Sequence, residues 1–287
     1  MKLKIYTVHH FVPERYVANG VFVPFVVGEA ADEAIAGLKA ICEEPIFGSA
    51  ELPMFPEALP FETERADADR LEHPSFAEMR CHYHIWKHRL AGTIDNTGDY
   101  TEKPLDYVGF QQYRRAFWFG EASGMATTLP IGSESGLFLG VEFGFDLSNI
   151  RKIIADTDMI VPRRWPALPN IGEDYCRTQL RSDWNMLVSM LDGAPPMGQL
   201  ARSLDYLHPC NMFVMRVELF REYMDWWWSG MSKLAERITP PAEGYRSRTF
   251  GFMSERLFTI WLAWLRRDRP ELRILELPLL VGNFTEI

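Results

Sequence analysis

Cysteine is scarce in this sequence, and no two cysteines lie close together. Cys42, Cys81, Cys176 and Cys210 form no C-x-x-C pair. That excludes a zinc-ribbon spacing and a disulfide framework, and it makes a reducing cytosol the simplest home for the chain. Long hydrophobic runs are also missing. No stretch approaches the ~18 uncharged apolar residues of a membrane-crossing helix, so the chain is expected to be soluble and at most peripheral to a membrane. The opening Met1-Lys2-Leu3-Lys4-Ile5 reads as a strand rather than a secretory signal. Positive charge is in deficit too: 30 Lys and Arg stand against 39 Asp and Glu, a formal charge of -9. General nucleic-acid binding, which needs a basic face, is therefore not expected. No internal repeat is visible.

What is abundant is aromatic: 13% of the 287 residues, nine of them Trp. Such a content suits either a large aromatic core or a site that stacks flat ligands such as sugars and bases. Apolar runs alternate with helical periodicity along the chain. Strands are expected at 4–8, 105–110, 159–161 (stopped by Pro162), 212–216 and 273–277. Helices are expected at 76–90 (ended by Gly92), 147–155, 173–191, 217–237 and 250–267. Ser75 with Glu78 three residues later reads as a capping box for the first of these helices. Residues 12–74 read as loops and small elements with a helical patch near 31–42. The Gly-, Ser- and Thr-rich stretch near 118–145 reads as a variable loop or lid. Strands alternating with helices predict an α/β fold with a mostly parallel central sheet flanked by helices, formed as a single domain over 1–287.

In such sheets ligands bind beyond the carboxyl ends of the strands. The segment Asp106-Tyr107-Val108-Gly109-Phe110-Gln111-Gln112-Tyr113-Arg114-Arg115 ends an apolar strand in two amides, a phenol and two adjacent guanidiniums. Two arginines there suit a pyrophosphate, through charge-assisted bidentate bonds. The alternative is one Arg on a structural carboxylate and the other in solvent. His9 and His10 close the first strand and point to the same crevice. His84 and His88 share a helix face but lack the third ligand and the Glu of a zinc-protease pattern. Asp156-Thr157-Asp158 looks like the D-x-D that holds a metal and sugar nucleotide, yet it precedes an apolar run instead of following one, so a structural role is favoured. Asp106 and Asp158 remain weak metal candidates. Glu255, near the start of the last long helix, and Asp183 are candidate general bases. Trp226-Trp227-Trp228 cannot all face one core; packing on two faces is favoured over contact with a lipid headgroup layer.

Several segments together resemble one family. Glu78, Tyr83, Ile85, Trp86 and Lys87 resemble its E-L-T-x-x-Y-W-x-W-K-N segment. Asp106-Tyr107-Val108-Gly109 with Tyr113-Arg114-Arg115 resembles D-Y-I-G-x-x-H-Y-R-R. Asn211-Met212-Phe213-Val214-Met215 with Glu218-Leu219-Phe220 and Tyr223 resembles N-M-F-I-M-K-K-E-L-F-D-E-Y. Gly251-Phe252, Glu255-Arg256-Leu257 and Ile260-Trp261 resemble G-F-x-x-E-R-L-x-x-I-W, and the strand ending in His10 resembles a T-H-K start. The family is a bacterial domain, formerly of unknown function, found in capsular polysaccharide and O-antigen synthesis proteins. It is grouped with GT-A glycosyltransferases, some of them galactofuranosyltransferase-like. Gln112 stands where the family usually has His, His84 where it has Trp and His88 where it has Asn.

The resemblance implies a GT-A-like fold and transfer of a sugar from a nucleotide-diphosphate donor to a hydroxyl of a surface polysaccharide or other glycan. A UDP-linked galactose or galactofuranose donor is expected, and a free or lipid-linked glycan acceptor at the inner face of the membrane. His9, His10, Asp106, Gln112, Tyr113, Arg114, Arg115 and Asn211 are expected at the donor, with Arg114 and Arg115 stabilising the leaving diphosphate. Asn211 would orient a sugar hydroxyl, and Lys87 and Arg256 would support the site. No cofactor is certain; a divalent cation, Mn²⁺ or Mg²⁺, is left open. Two other readings stand beside this one: a non-catalytic sugar- or lipid-carrier-binding module, suggested by Gln112 and the absent D-x-D, and a transferase acting on a modified nucleobase.

Overall fold

Odd and even positions of the central strands bury opposite faces, as a two-residue repeat requires. Leu3, Ile5, Tyr107, Ile160 and Val214 face one apolar cluster; Tyr6, Val8, Val108, Phe110, Met159, Val161, Phe213 and Met215 face the other. Strands buried on both sides belong to a sheet covered on both sides. The computed structural model describes residues 1–10, 21–29, 31–32, 62–63, 71, 73–90, 93–94, 100–102, 104–120, 124, 126–131, 147–193 and 196–284.

Its strands are β1 (Leu3–His9), β2 (Phe22–Val26), β3 (Glu62–Thr63), β4 (Thr93–Ile94), β5 (Tyr100–Glu102), β6 (Tyr107–Gln112), β7 (Arg115–Phe117), β8 (Ala126–Ile131), β9 (Met159–Pro162), β10 (Trp165–Pro166), β11 (Tyr206–Leu207), β12 (Phe213–Arg216), β13 (Ile274–Leu277) and β14 (Leu279–Phe284). The main sheet runs β13-β9-β12-β6-β1-β2-β3, with β7, β8 and β14 off that path. β12 is antiparallel to both its neighbours, β6 and β9, and the other pairs on the path are parallel. Every strand of the path except β12 therefore points the same way. The carboxyl ends of β1, β6 and β9 and the start of β12 meet along one edge.

The helices are α1 (Met79–His88), α2 (Leu147–Ala155), α3 (Ile171–Cys176), α4 (Arg181–Asp192), α5 (Met197–Ser203), α6 (Val217–Ala235) and α7 (Thr249–Asp268). α1, α6 and α7 cover one face of the sheet and α2 covers the other. α7 buries 14 of its 20 residues, the mark of a helix inside the protein rather than on its surface. The aromatic content resolves mainly into core: Phe213 meets Phe110, Phe220, Tyr223 and Phe258 at centroid distances of 5.1–5.8 Å. Of the three consecutive tryptophans, Trp227 is buried and donates from Nε1 to Ser254 Oγ at 3.0 Å. Trp226 and Trp228 flank it, half-buried, against Tyr223 and Tyr83.

Three expectations about elements change. The stretch 12–74 contains two sheet strands, β2 and β3, although its helical patch falls largely outside the described residues. The helix expected over 173–191 is two helices, because Leu180 is extended (φ -81°, ψ 135°) and Gln179 turns inward, bonding Thr249 Oγ1 and the Tyr245 carbonyl. Within the stretch expected as a lid, β8 is a strand paired in parallel with β14; residues 121–123, 125 and 132–146 lie outside the described set, as does Gly92. Cys81, Cys176 and Cys210 are free thiols; Cys42 lies outside the described residues. No helix among the described residues is long and apolar enough to cross a membrane.

Candidate active site

Side chains converge where the sheet edge brings four segments together: the ends of β1, β6 and β9 and the turn before β12. A cavity of about 190 Å³ opens there, lined among others by Glu78, Gln112, Arg115, Trp165, Arg248 and Glu255. The turn before β12 is held in an uncommon conformation, with Cys210 at φ 74° and Asn211 at φ 50°; Ala77, beside Glu78, is at φ 47°. Non-glycine residues in the left-handed region are costly and gather where surrounding structure enforces them. Here the enforcing contacts are visible. Asn211 Nδ2 donates to Glu78 Oε1 at 2.8 Å and to the Gly251 carbonyl at 3.1 Å. The Cys210 N–H donates to Glu255 Oε1 at 2.5 Å. His82, buried and stacked on Phe110 at 3.8 Å, sets its two ring nitrogens 3.0 Å from the Glu78 carbonyl and 2.9 Å from the Asn211 carbonyl. A neutral imidazole has one N–H, so it donates to one of these at a time. Burial lowers the His82 pKa to about 4 against the raising effect of both carbonyls.

Glu78 is the hinge of the site. Its Oε1 also accepts from Gln112 Nε2 at 3.2 Å, and its Oε2 lies 3.6 Å from Arg248. It does not cap α1, as its spacing from Ser75 had suggested. The left-handed Ala77 breaks the chain between a 3-10 turn (Pro74–Phe76) and α1, His73 Nδ1 accepts from Ser75 N, and the Glu78 side chain turns into the cavity edge. Gln112 Nε2 also donates to the Cys210 carbonyl at 2.9 Å, and its Oε1 accepts from Arg115 Nη1 at 2.9 Å. The amide thus bridges carboxylate, backbone and guanidinium.

Glu255 is the second cavity carboxylate. Burial holds its pKa above the ordinary carboxylate value; Arg256 opposes this and the Glu78 charge adds to it. Its Oε2 accepts from Arg256 Nη1 at 2.8 Å, and Arg256 Nη2 bonds Asp174 at 2.5 Å. Arg256, nearly buried, stands behind the carboxylate and fixes it. Each Glu255 oxygen keeps a lone pair beyond these bonds.

Beside the cavity, over β1 and β6, Tyr113 gathers a second group. His9 stacks on it at 5.8 Å, His10 meets it edge-on at 6.3 Å and the Arg114 guanidinium lies 5.1 Å from its ring. Burial lowers the pKa of His9 to about 3, with His10 contributing. Burial also lowers that of His10; Glu78 opposes, and Arg248, Arg80 and Arg114 add to the lowering. His10 therefore stands among three guanidiniums and one carboxylate.

The structure brings His9, His10, Gln112, Tyr113, Arg114, Arg115, Asn211, Glu255 and Arg256 to one edge. It separates the rest. Asp106 precedes β6 and accepts from Lys2 N at the opposite edge of the sheet. Asp158 precedes β9 at that same far edge, bound to Arg216 Nε at 2.8 Å and Arg273 N at 2.9 Å. Parallel strands place both there, because each Asp enters its strand instead of leaving it. Asp183 lies in the first turn of α4, where burial raises its pKa, and it does not line the cavity. Lys87 is exposed on α1 with its ammonium 4.2 Å from the Trp86 ring. The Asn211 amide nitrogen is occupied by Glu78 and Gly251. Sequence reasoning missed Glu78 as a site residue, and with it Arg248, Trp165, Tyr245 and Phe252. Among the described residues no group of three or more His, Cys, Asp or Glu is arranged to hold a metal ion. The cavity carboxylates are instead engaged by guanidiniums, amides and a backbone N–H, which does not match a divalent-cation donor set.

Residues 70–266 match a family described as a domain of unknown function (DUF4422). No curated protein matches the sequence. Among solved structures, the chain is similar to the apo structure of the WbbM bifunctional glycosyltransferase, with 22% identity and a TM-score of 0.71. The likeness covers 99% of this chain and 46% of that one, so the chain spans less than half of that protein's length. At this identity the likeness is one of fold, GT-A-like and mixed α/β.

Proposed function

The chain belongs to the DUF4422 family, and we propose that it is a glycosyltransferase that moves a sugar from a nucleotide-diphosphate donor to a hydroxyl of a glycan. The observation that carries this reading is the cavity at the strands' carboxyl ends, where two carboxylates, Glu78 and Glu255, face two guanidiniums, Arg115 and Arg248. The GT-A-like fold supports it. A UDP-linked galactose or galactofuranose donor and a surface-polysaccharide acceptor follow from the family resemblance and form the finer part of the proposal.

The donor base and ribose lie over the crevice between β1 and β6, beside His10 and Tyr113, and the diphosphate spans Arg115 and Arg248. Arg248 takes the place the sequence suggested for Arg114, whose guanidinium stacks on Tyr113. Glu255 removes the proton from the acceptor hydroxyl. The resulting oxygen bonds to the anomeric carbon as the bond to the diphosphate breaks, and the leaving group carries the electron pair onto oxygens held by the two arginines. Fixed cations at the point where charge develops are the strongest contribution a protein makes to such a step. Burial suits Glu255 to the task, since a raised pKa makes it a stronger base. Glu78 orients the site through Gln112, Asn211 and Arg248.

The deciding experiment measures nucleotide-sugar hydrolysis and transfer with and without Mn²⁺, preceded by thermal shifts against nucleoside diphosphates. Stabilisation near 2.7 kcal/mol is expected for a ligand at ~100 times its dissociation constant. No shift with any nucleotide would overturn the proposal. Gln112, which cannot exchange a proton, favours a second reading as a sugar-binding module; binding without turnover would select it.

A further inference from the structure

Besides its charged groups, the cavity is lined by aromatic rings. Trp165 follows β9, and Tyr245 and Phe252 come from the start of the α7 region. With the order β1-β6-β12-β9 and ~4.8 Å between adjacent strands, Trp165, past the end of β9, stands roughly 10 Å from β6 and about 14 Å from β1, and Tyr245 and Phe252 reach the cavity from the α7 side. Trp165 is therefore beyond the crevice between β1 and β6. The volume decides in the same direction. About 190 Å³ is below the ~300 Å³ at which pockets begin to hold drug-sized ligands, so the cavity takes one ring, not a whole nucleotide sugar.

The aromatic wall is firmly mounted. Tyr245 opens a 3-10 turn (Tyr245–Arg248), and its carbonyl accepts from the buried Gln179 amide. Thr249 Oγ1 closes the turn onto the Arg246 carbonyl and Gln179 Oε1. The Tyr245 ring meets Phe252 at 4.9 Å and is still 59% exposed, which leaves ring surface open to solvent. Trp165 is fixed by antiparallel pairing with Leu207 between β10 and β11. Glu255, one helical turn after Phe252, and Glu78, 3.6 Å from Arg248, line the same cavity. Aromatic faces beside hydrogen-bonding carboxylates suit a sugar, which carries an apolar C–H face and a rim of hydroxyls.

We propose that Trp165, Tyr245 and Phe252 form the acceptor subsite, a stacking wall for one hexose ring whose hydroxyl is presented to Glu255. This rests on the transferase reading and specifies its acceptor as a pyranoside with an apolar face, entering from the Tyr245 side. The donor meets this wall at Arg248, on the same turn as Tyr245 and 5.9 Å from the Phe252 ring.

The test is saturation-transfer NMR on the full chain with methyl β-galactopyranoside, methyl β-glucopyranoside and uridine as probes, for the wild type and Tyr245→Ala. Tyr245 is exposed enough for the variant to fold, and Tyr245→Phe serves as the conservative control. The expected result is transfer to ring protons of one apolar hexoside face, weakened roughly tenfold in affinity by Tyr245→Ala and restored by Tyr245→Phe. Nucleoside-diphosphate thermal shifts should be the same in all three proteins. In turnover assays, Tyr245→Ala should raise the acceptor KM by more than it lowers kcat, and Tyr245→Phe should restore the KM. Hexoside binding untouched by Tyr245→Ala would overturn the subsite, as would loss of uridine binding in its place. Hexoside binding through Tyr245 without any nucleotide response would leave the subsite standing and overturn the transferase reading, so the two failures are distinct.

Discussion

Asn211 and Glu78, 133 residues apart in the chain, are joined by a 2.8 Å bond from Asn211 Nδ2 to Glu78 Oε1. The bond ties the left-handed turn before β12 to the start of α1 directly, where Gln112 and His82 also bridge the two rims of the cavity. Asn211→Ala removes a buried donor from a carboxylate, a loss of about 1.5–3 kcal/mol, and places a Cβ-bearing residue without a local polar side chain at φ 50°. Asn211→Gly loses the same bond but accepts the backbone angle. Urea unfolding should therefore show the glycine variant about 0.5–1 kcal/mol more stable than the alanine variant. Equal losses would mean that the positive φ contributes nothing.

Arg115 and Arg114 are neighbours with different surroundings. Arg115 lines the cavity and bonds Gln112, and Arg114 is exposed beside Tyr113. Removing one fixed donor from a developing oxyanion costs ~10²–10³ in rate. Arg115→Ala should lower donor turnover by about that factor in a folded protein, and Arg114→Ala by only a few-fold. Equal losses would place the diphosphate over Tyr113 rather than in the cavity.

The same contrast shows what the sequence could and could not disclose. β9, β12, α2, α6 and α7 were legible because their own apolar periodicity decides them. β2 was hidden: Phe-Val-Pro-Phe-Val has a proline at its centre, and a residue without an N–H argues against a strand inside a sheet. Pro24 nevertheless sits opposite Thr7 of β1, one residue before the described pairing with β3 begins at Phe25. The break between α3 and α4 was invisible because its cause, Gln179 reaching Thr249 and Tyr245, lies about 70 residues away. Arg115 could be found from the end of an apolar strand. Arg248 and Tyr245 could not, since they ride on a short 3-10 turn after Gly244 (φ 79°), which has no periodicity to read. Glu78 was misread for a related reason: its local spacing satisfied a cap, and its actual partners come from the far end of the fold.

Three histidines are buried with lowered pKa values: His9 to about 3, His82 and His208 to about 4, in each case chiefly by burial. In the unfolded chain they protonate near 6.5. Between those values the unfolded state binds more protons, so stability falls as pH falls. It is fully present above about pH 6.5 and is lost towards pH 4, each histidine contributing up to ~1.4 kcal/mol per pH unit. Urea midpoints should therefore drop steadily from pH 7.5 to pH 5, before most carboxylates protonate. A flat profile over that range would contradict the neutral burial of these rings.

Asp158 belongs to the D-x-D-like triplet, and its environment argues for structure. Burial alone would raise its pKa, but bonds from Arg273 N and Arg216 prevail and lower it. The carboxylate thus clasps the ends of β12 and β13 at the edge of the sheet opposite the cavity. The six residues of β6 place about 17–20 Å between the two edges. Asp158→Asn should cost about 1 kcal/mol of stability, since the ion pair is partly exposed, and should leave turnover and any Mn²⁺ response within about twofold. Asp106→Asn should behave likewise, because the Asp106 carboxylate bonds the amino-terminal segment at that edge. Glu255→Gln should do the reverse, keeping the acceptor for Cys210 N–H while lowering turnover by ~10²–10⁴, the contribution of a general base. If Asp158→Asn instead abolished an Mn²⁺-dependent activity in a stably folded protein, the catalytic centre would have to lie at the other edge of the sheet.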